Sequence, residues 1–372
     1  MTSSFNSLSV ARDLAQATAT RATQADQTGQ LPPEDIRALE TSGYLKLSVP
    51  EAYGGRGASL NECVAAQLEL SQGSASTALV AGMTLHIVGH EREVKSWEGG
   101  AREAIFSDIA KGALLNSAAS EPRLGSPSRG GLPDTYAEKE GDILTLNGHK
   151  NWVTGGEHLK HLLVRLRLGE AAVVVWLPAD TPGLRWEKTW GDGLSLRASD
   201  SHDLFLETVQ VSADNIIQRG RSPANVWFPI IMAATYLGMG LAAQAEVIRY
   251  AHERVPTALG KPIATLPNIQ RRVGEMAVAL QAAETYLLAT AADWRGVEAE
   301  RSSFLVKAAA AKHLAVETAL EVTDKAMRVA GAAGIDKGLA LERYFRDVRG
   351  GLMHPPSGDA ALELVGRQAL GL

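Results

Sequence analysis

The chain has 372 residues, enough for two or three domains with substantial cores. Hydrophobic residues make up 45% and charged residues 21%, the balance of a soluble globular protein, and a net charge of -5 argues against nucleic acid or an anionic membrane as main partner. The single cysteine, Cys63, excludes an intramolecular disulfide and any multi-cysteine metal site and fits a reducing compartment.

The opening residues, MTSSFNSLSVARDLAQ, contain no apolar signal core, and no window reads as the roughly 18 apolar residues of a membrane span, so the expectation is a cytoplasmic protein. Residues 1–115 read as a helical domain. Leu31-Pro32-Pro33-Glu34-Asp35 opens a helix with prolines at its entry and acids in its first turn, and 60–73 and 76–90 suggest two more. Val49-Pro50-Glu51-Ala52-Tyr53-Gly54-Gly55 between them is a turn-rich loop.

The period changes over 116–222, which reads as a compact β-barrel or sandwich domain. Residues 143–146, a turn at Asn147-Gly148, and 152–154 suggest a hairpin; 162–168 and 202–211 alternate, and 172–177 is an apolar, largely β-branched run. Residues 223–372 are alanine-rich. The segments 223–252, 268–295 and 301–330 each predict roughly 40 Å of helix, and with a shorter helix near 358–370 they suggest a four-helix bundle.

Several stretches have side chains suited to chemistry. Ser120-Glu121-Pro122-Arg123-Leu124-Gly125-Ser126 is either an interdomain loop or a turn whose hydroxyls and backbone bind a polar heterocycle. Lys150-Asn151-Trp152-Val153-Thr154 places a ring and a hydroxyl two residues apart, hence on one strand face, where they could shield and bond a flat cofactor; a core tryptophan is the alternative. Arg254, Gly260-Lys261-Pro262 and Gln270 form a basic loop that could hold a diphosphate or be solvated. Gly331-Ala332-Ala333-Gly334 is a helix C-cap or a close-approach turn for phosphate or sugar. His86 and His90 lie four apart on a helix, but no HExxH-type carboxylate accompanies them, so no metal site is expected. The charged run 343–349 is either a solvated face or a set of ion pairs, with Arg346 and Asp347 paired across subunits.

These stretches occur in the order found in the acyl-CoA dehydrogenase family, which the whole chain resembles. The resemblance runs through 49–55, the SEP-x-x-GS segment at 120–126, K-x-W-V-T at 150–154, a strand-pair-like match at 193–199 and 209–212, Gly331-x-x-Gly334, and the ER-x-YRD-x-R run at 342–349. It implies an α+β multidomain fold: an N-terminal helical domain, a middle β domain and a C-terminal four-helix bundle, assembled as a homodimer or homotetramer. It implies FAD between β domain and bundle, contacted by Ser120, Trp152 and Thr154. Arg254, Gln270, Gly331 and Gly334 match positions that reach a neighbouring subunit's FAD, and Ser126 matches one lining the thioester pocket. Three positions depart from the pattern: the Arg254–Gly260 spacing is longer, Arg328 stands for a glutamine, and Pro127 for an aspartate.

The resemblance further implies α,β-dehydrogenation of an acyl thioester such as acyl-CoA, with hydride transfer to the flavin and an electron-transfer flavoprotein as acceptor. That reaction needs a carboxylate base. The family's usual address, six residues beyond Arg349, is Pro355, and the alternative address, 223–243, has no acid. Three readings follow. In the first, an unusual base, His354 or Asp359, serves a dehydrogenase, although Asp359 also suits capping the last helix. In the second, the chain resembles the superfamily's flavin monooxygenases, which use reduced flavin and O2, with His354 and His86 as the polar groups. In the third, the fold is a catalytically silent binding or assembly module.

Overall fold

The computed structural model describes residues 6–124, 131–220 and 222–372. Five helices come first: α1 (Ser7–Thr28), α2 (Pro33–Ser42), α3 (Leu60–Gly73), α4 (Ala75–Val94) and α5 (Ala101–Ala110). Their ends are set by local chemistry. Asn6 accepts from the amides of Leu8 and Ser9 to start α1, and Ser59 with Glu62 forms a reciprocal capping box on α3. Helix α4 is apolar on every side, and each residue from Ala75 to Glu91 is buried among α3, α6 and the first strand.

Eight strands follow in one mixed sheet: β1 (Leu115–Ala118), β2 (Tyr136–Glu140), β3 (Ile143–Val153), β4 (His161–Leu168), β5 (Ala171–Pro178), β6 (Leu184–Glu187), β7 (His202–Ser212) and β8 (Ile216–Arg219). The strand order is β6-β7-β3-β2-β4-β5-β8, with β1 parallel to the first half of β4 and β2 parallel to its last two residues. Two sequence expectations are corrected here. Asn147-Gly148 is not a hairpin turn: β3 runs straight through it, with a register shift between Leu146 and Gly148. Asn147 Oδ1 accepts from the Thr208 amide at 2.9 Å, and a Cβ on Gly148 would lie 2.4 Å from Thr135 Oγ1, so the pair makes a bulge under close packing. Nor is 193–199 a strand. Ser195 donates its hydroxyl to the Asp347 carbonyl at 2.8 Å, and the Leu196 amide donates to Asp347 Oδ1 at 2.7 Å, so this segment's hydrogen bonds go to the C-terminal cluster.

The last zone contains α6 (Trp227–Glu253), α7 (Pro267–Asp293), α8 (Arg301–Ala330), the short α9 (Ala332–Ile335), α10 (Leu341–Asp347) and α11 (Gly350–Met353), and α12 (Gly358–Ala369). Against the sequence expectation, α6 is long and apolar enough to cross a membrane, but 78% of its apolar window is buried inside the protein. It is the core helix, packed on α3, α4, α7 and α8. Gly238 permits the α3 contact, since a Cβ there would fall 1.9 Å from Ser71 Oγ. The 343–349 cluster is satisfied within the chain, correcting the expected pairing of Arg346 with Asp347 between subunits. Arg346 forks onto Asp26 of α1 at 2.7 and 3.1 Å and also holds Glu342, while Arg343 donates to Thr23 Oγ1 at 2.8 Å.

Candidate functional site

Where α4 passes the start of α6, five side chains from three parts of the chain converge. Asn225 precedes α6 and caps it: its Oδ1 accepts from the amides of Trp227 and Phe228, both at 3.0 Å. That fixes the amide's orientation and turns Nδ2 towards His86 Nδ1, 3.2 Å away. The amide nitrogen can only donate, so His86 Nδ1 accepts and its proton sits on Nε2. Across Phe228 lies His354, in the turn after α11, with its Nδ1 2.6 Å from the Tyr236 hydroxyl. Both imidazoles meet the Phe228 ring near-perpendicularly, His86 at 4.8 Å and 79°, His354 at 6.0 Å and 77° between centroids.

Burial decides the charge state of this cluster. It pushes His86 down to about 3, helped by His90 and His354, and pushes His354 down to about 4, helped by the Lys312 ammonium. It also pushes the Tyr236 phenol well above its ordinary value. The protonated phenol therefore donates to a neutral imidazole, and His354, like His86, presents an Nε2–H. Among the described residues neither imidazole has a carboxylate partner. Pro355 follows His354 directly. Asp359 is exposed in the first turn of α12, where Ser357 is the N-cap, and it enters none of the cluster's hydrogen bonds.

A second face forms at the end of β3. Trp152 has φ 58° and is 62% exposed, because the register shifts between Lys150 and Val153 and turns the indole outward. The bulge also breaks the alternation that would have put Thr154 on the same face. Thr154 is buried instead, sharing a 2.9 Å hydroxyl contact with Ser201 and accepting from Asn116 at its carbonyl. Ser120 is tied in by its carbonyl, which accepts from the Asn151 amide at 3.1 Å. The charged members of the two flanking motifs pair with each other, the Lys150 ammonium donating to Glu121 Oε1 at 2.6 Å in full burial. Glu121 also accepts from the amides of Asp134 and Thr135, so it anchors the loop. This surface fits a planar, hydrogen-bonding heterocycle such as the flavin of FAD: Trp152 offers an uncovered ring, and Asn151 Oδ1 is buried without a partner among the described residues.

Arg254 is exposed just past α6, and Gln270, also exposed, donates to the Ala264 carbonyl at 3.0 Å. Gly331 breaks α8 from α9 at φ 61°, and Gly334 packs against Met327 and Ala330. Helices α6 and α8 run the same way, since Arg301 bonds the Ala224 carbonyl at one end and Gly240 meets Ala319 midway. These residues therefore gather at the far end of the bundle, roughly 40 Å along α6 from Phe228. One chain cannot bring them to the histidine cluster. Ser126 lies outside the described residues.

Sequence reading alone missed Asn225, Phe228, Tyr236 and Lys312. Asn225 was detectable as a cap two residues before an apolar helix; Tyr236 and Lys312 stand out only as polar interruptions of apolar and alanine-rich runs.

The family models for the acyl-CoA dehydrogenase N-terminal, middle and C-terminal domains match residues 7–92, 116–209 and 230–355. YdbM of Bacillus subtilis (strain 168), which carries an acyl-CoA dehydrogenase name, is 35% identical over 355 residues, covering 94% of this chain and 92% of its own. The mitochondrial short-chain specific acyl-CoA dehydrogenase of Rattus norvegicus is 28% identical over 353 residues, covering 88% and 80%. In fold, the chain is similar to butyryl-CoA dehydrogenase from Megasphaera elsdenii (TM-score 0.86, 24% identity, 98% and 97% covered) and to FMN-bound TdsC from Paenibacillus sp. A11-2 (TM-score 0.88, 23% identity, 99% and 98% covered). Methanesulfinate monooxygenase MsuC from Pseudomonas fluorescens shares the fold too (TM-score 0.85, 23% identity, 98% and 96% covered). With three domain models matched in order and a relative above 30% identity over nearly its whole length, the chain belongs to the acyl-CoA dehydrogenase family.

Proposed function

We propose that this member of the family oxygenates a small-molecule substrate with reduced flavin and O2, instead of removing hydrogen from an acyl thioester. The observation that supports this most is the neutral imidazole pair, His86 and His354, each accepting at Nδ1 and offering an Nε2–H beside Phe228. Taking a weakly acidic α-proton calls for a base matched to the operating pH. An imidazole held near 4 is poorly matched to that task, while two Nε2–H donors are suited to orienting an oxygen-bearing group and stabilising charge on it. A bound reduced flavin supplies two electrons; one oxygen atom of O2 enters the substrate and the other leaves as water.

In this reading FAD lies against Trp152, with Ser120 and Thr154 near its ring, and Arg254, Gln270, Gly331 and Gly334 serve a neighbouring subunit's cofactor in a cytoplasmic homodimer or homotetramer. Ser126 borders the substrate. The 40 Å separation along α6 supports the shared arrangement. A second reading, dehydrogenation of an acyl-CoA with an electron-transfer flavoprotein as acceptor and His354 or Asp359 as base, draws support from the names of the relatives at 28% and 35% identity.

One experiment separates these. The purified protein is loaded with FAD and mixed anaerobically with acyl-CoAs of several chain lengths; separately, it is supplied with enzymatically reduced flavin and an air-saturated substrate panel. Oxygen uptake coupled to an oxygenated product, without flavin bleaching by any acyl-CoA, is the expected result. Bleaching by an acyl-CoA overturns it in favour of dehydrogenation, and failure to take up any flavin overturns both.

A further inference from the structure

We infer that Lys312 is a positioning residue for His354: its buried ammonium binds three carbonyls of the turn that carries the imidazole and fixes that turn against Tyr236. The inference rests on the site reading above. Lys312 lies within α8 and is 2% exposed. Its Nζ donates to the carbonyls of Gly351 at 2.5 Å, His354 at 2.9 Å and Pro356 at 3.0 Å, which uses all three ammonium donors. Among the described residues it forms no salt bridge; Glu317 on the same helix acts on it only at a distance.

A buried cation without a carboxylate is costly, and a methionine or leucine would fill the same space in an alanine-rich helix more cheaply. What the ammonium does and an apolar side chain cannot is gather three carbonyls from six residues of irregular backbone. One of those carbonyls belongs to His354 itself. With the backbone held by α8 and Nδ1 held by Tyr236 of α6, the ring has no remaining freedom, and Nε2–H points to one place.

The charge has a second consequence. The groups facing His354 are Tyr236 from α6, His86 from α4, Phe228 between them, and Lys312 from α8; only Lys312 carries charge near neutrality. Its ammonium thus joins burial in keeping the imidazole unprotonated. Lys312 in turn faces the three carbonyls, Glu317 and His354, and burial brings its own proton loss down to about 8.

The test is a pH titration of ring-13C-labelled histidine by NMR on the full-length, flavin-loaded protein, with His354 assigned through His354→Asn. In wild type the His354 signal should show a second inflection near pH 8 as the ammonium discharges. In Lys312→Met the acid-side inflection should move up by about one pH unit, and in Lys312→Arg, which keeps the charge, it should stay in place. Turnover with reduced flavin and O2 should fall tenfold or more in kcat in Lys312→Met with KM little changed, and Lys312→Arg should recover part of it. An unchanged His354 titration in Lys312→Met, or no inflection near pH 8 in wild type should the methionine variant not fold, overturns the inference. If wild type has no oxygenating turnover, the functional reading fails, while the titration still decides the role of Lys312.

Discussion

Tyr236→Phe isolates the hydroxyl that sets the tautomer of His354. The side chain is fully buried and its OH lies 2.6 Å from Nδ1, so the substitution removes one hydrogen bond and orphans one ring nitrogen without opening a cavity large enough for water. The lost bond contributes about 1 kcal/mol and the unpaired nitrogen costs about 1–2 kcal/mol more. At about 2.1 cal/mol/K per residue, unfolding a chain of 372 residues carries an entropy near 0.8 kcal/mol/K, so a loss of about 2 kcal/mol lowers the thermal midpoint by only about 2–3 °C. The catalytic effect is larger. Without the phenol the ring can place its proton on either nitrogen, and the Nε2–H aimed past Phe228 is no longer guaranteed. Turnover with reduced flavin and O2 should fall about tenfold, or 1.4 kcal/mol in the barrier, with flavin affinity unchanged. Stopped-flow turnover together with calorimetry checks both numbers. Wild-type turnover in Tyr236→Phe would refute the assignment of His354 as an oriented donor, whatever the stability of the variant.

Three other perturbations probe separate parts of the molecule. Trp152→Ala removes an indole already 62% exposed, so stability should change by less than about 0.5 kcal/mol while the flavin dissociation constant rises about tenfold; equal affinity by fluorescence titration would remove Trp152 from the cofactor face. Lys150→Met leaves the buried Glu121 carboxylate without its ammonium and should cost about 3–5 kcal/mol in urea unfolding, whereas adding Glu121→Gln should recover part of the loss; an additive double variant would contradict direct pairing. Acid should weaken the fold from pH 6.5 to about 4. His86 (about 3), His90 (about 4) and His354 (about 4) stay neutral when folded but protonate when unfolded near 6.5, so stability is lost as pH falls through that window. Asp347, pushed up to about 7 by burial, holds its proton in the folded state and offsets one of the three, leaving about two protons and about 2.7 kcal/mol per pH unit at the steepest point. A urea midpoint that stays level between pH 6.5 and 5 would contradict this.

Much of the architecture was legible because it rests on periodicity and composition. The apolar faces and proline entries of the long helices, and the alternation along β4 and β7, are local signals that tertiary packing did not override. The misread elements are those where a distant partner decides. Asn147-Gly148 has the composition of a tight turn, yet Thr208 and Thr135 hold it as a bulge within β3. Residues 193–199 alternate like a strand, yet Asp347, some 150 positions away, accepts their hydrogen bonds. Trp152 and Thr154 share a face under ideal alternation, and one bulge parts them.

The site was legible only as isolated letters. His86 and His354 could be selected as candidates from the sequence, but their chemistry depends on what each Nδ1 meets, and those partners, Asn225 and Tyr236, are 139 and 118 positions away. Asn225 makes the dependence concrete. Because its Oδ1 must cap α6, its amide nitrogen faces His86, and a backbone requirement at a helix start thereby dictates which imidazole nitrogen carries the proton. The Pro355 that stands where a carboxylate was sought belongs to the same logic. A carboxylate beside His354 would favour the charged imidazolium, and the ring would no longer be neutral beside the buried phenol and the Lys312 ammonium. The missing acid and the two uncharged histidines are thus one electrostatic choice, made by burial.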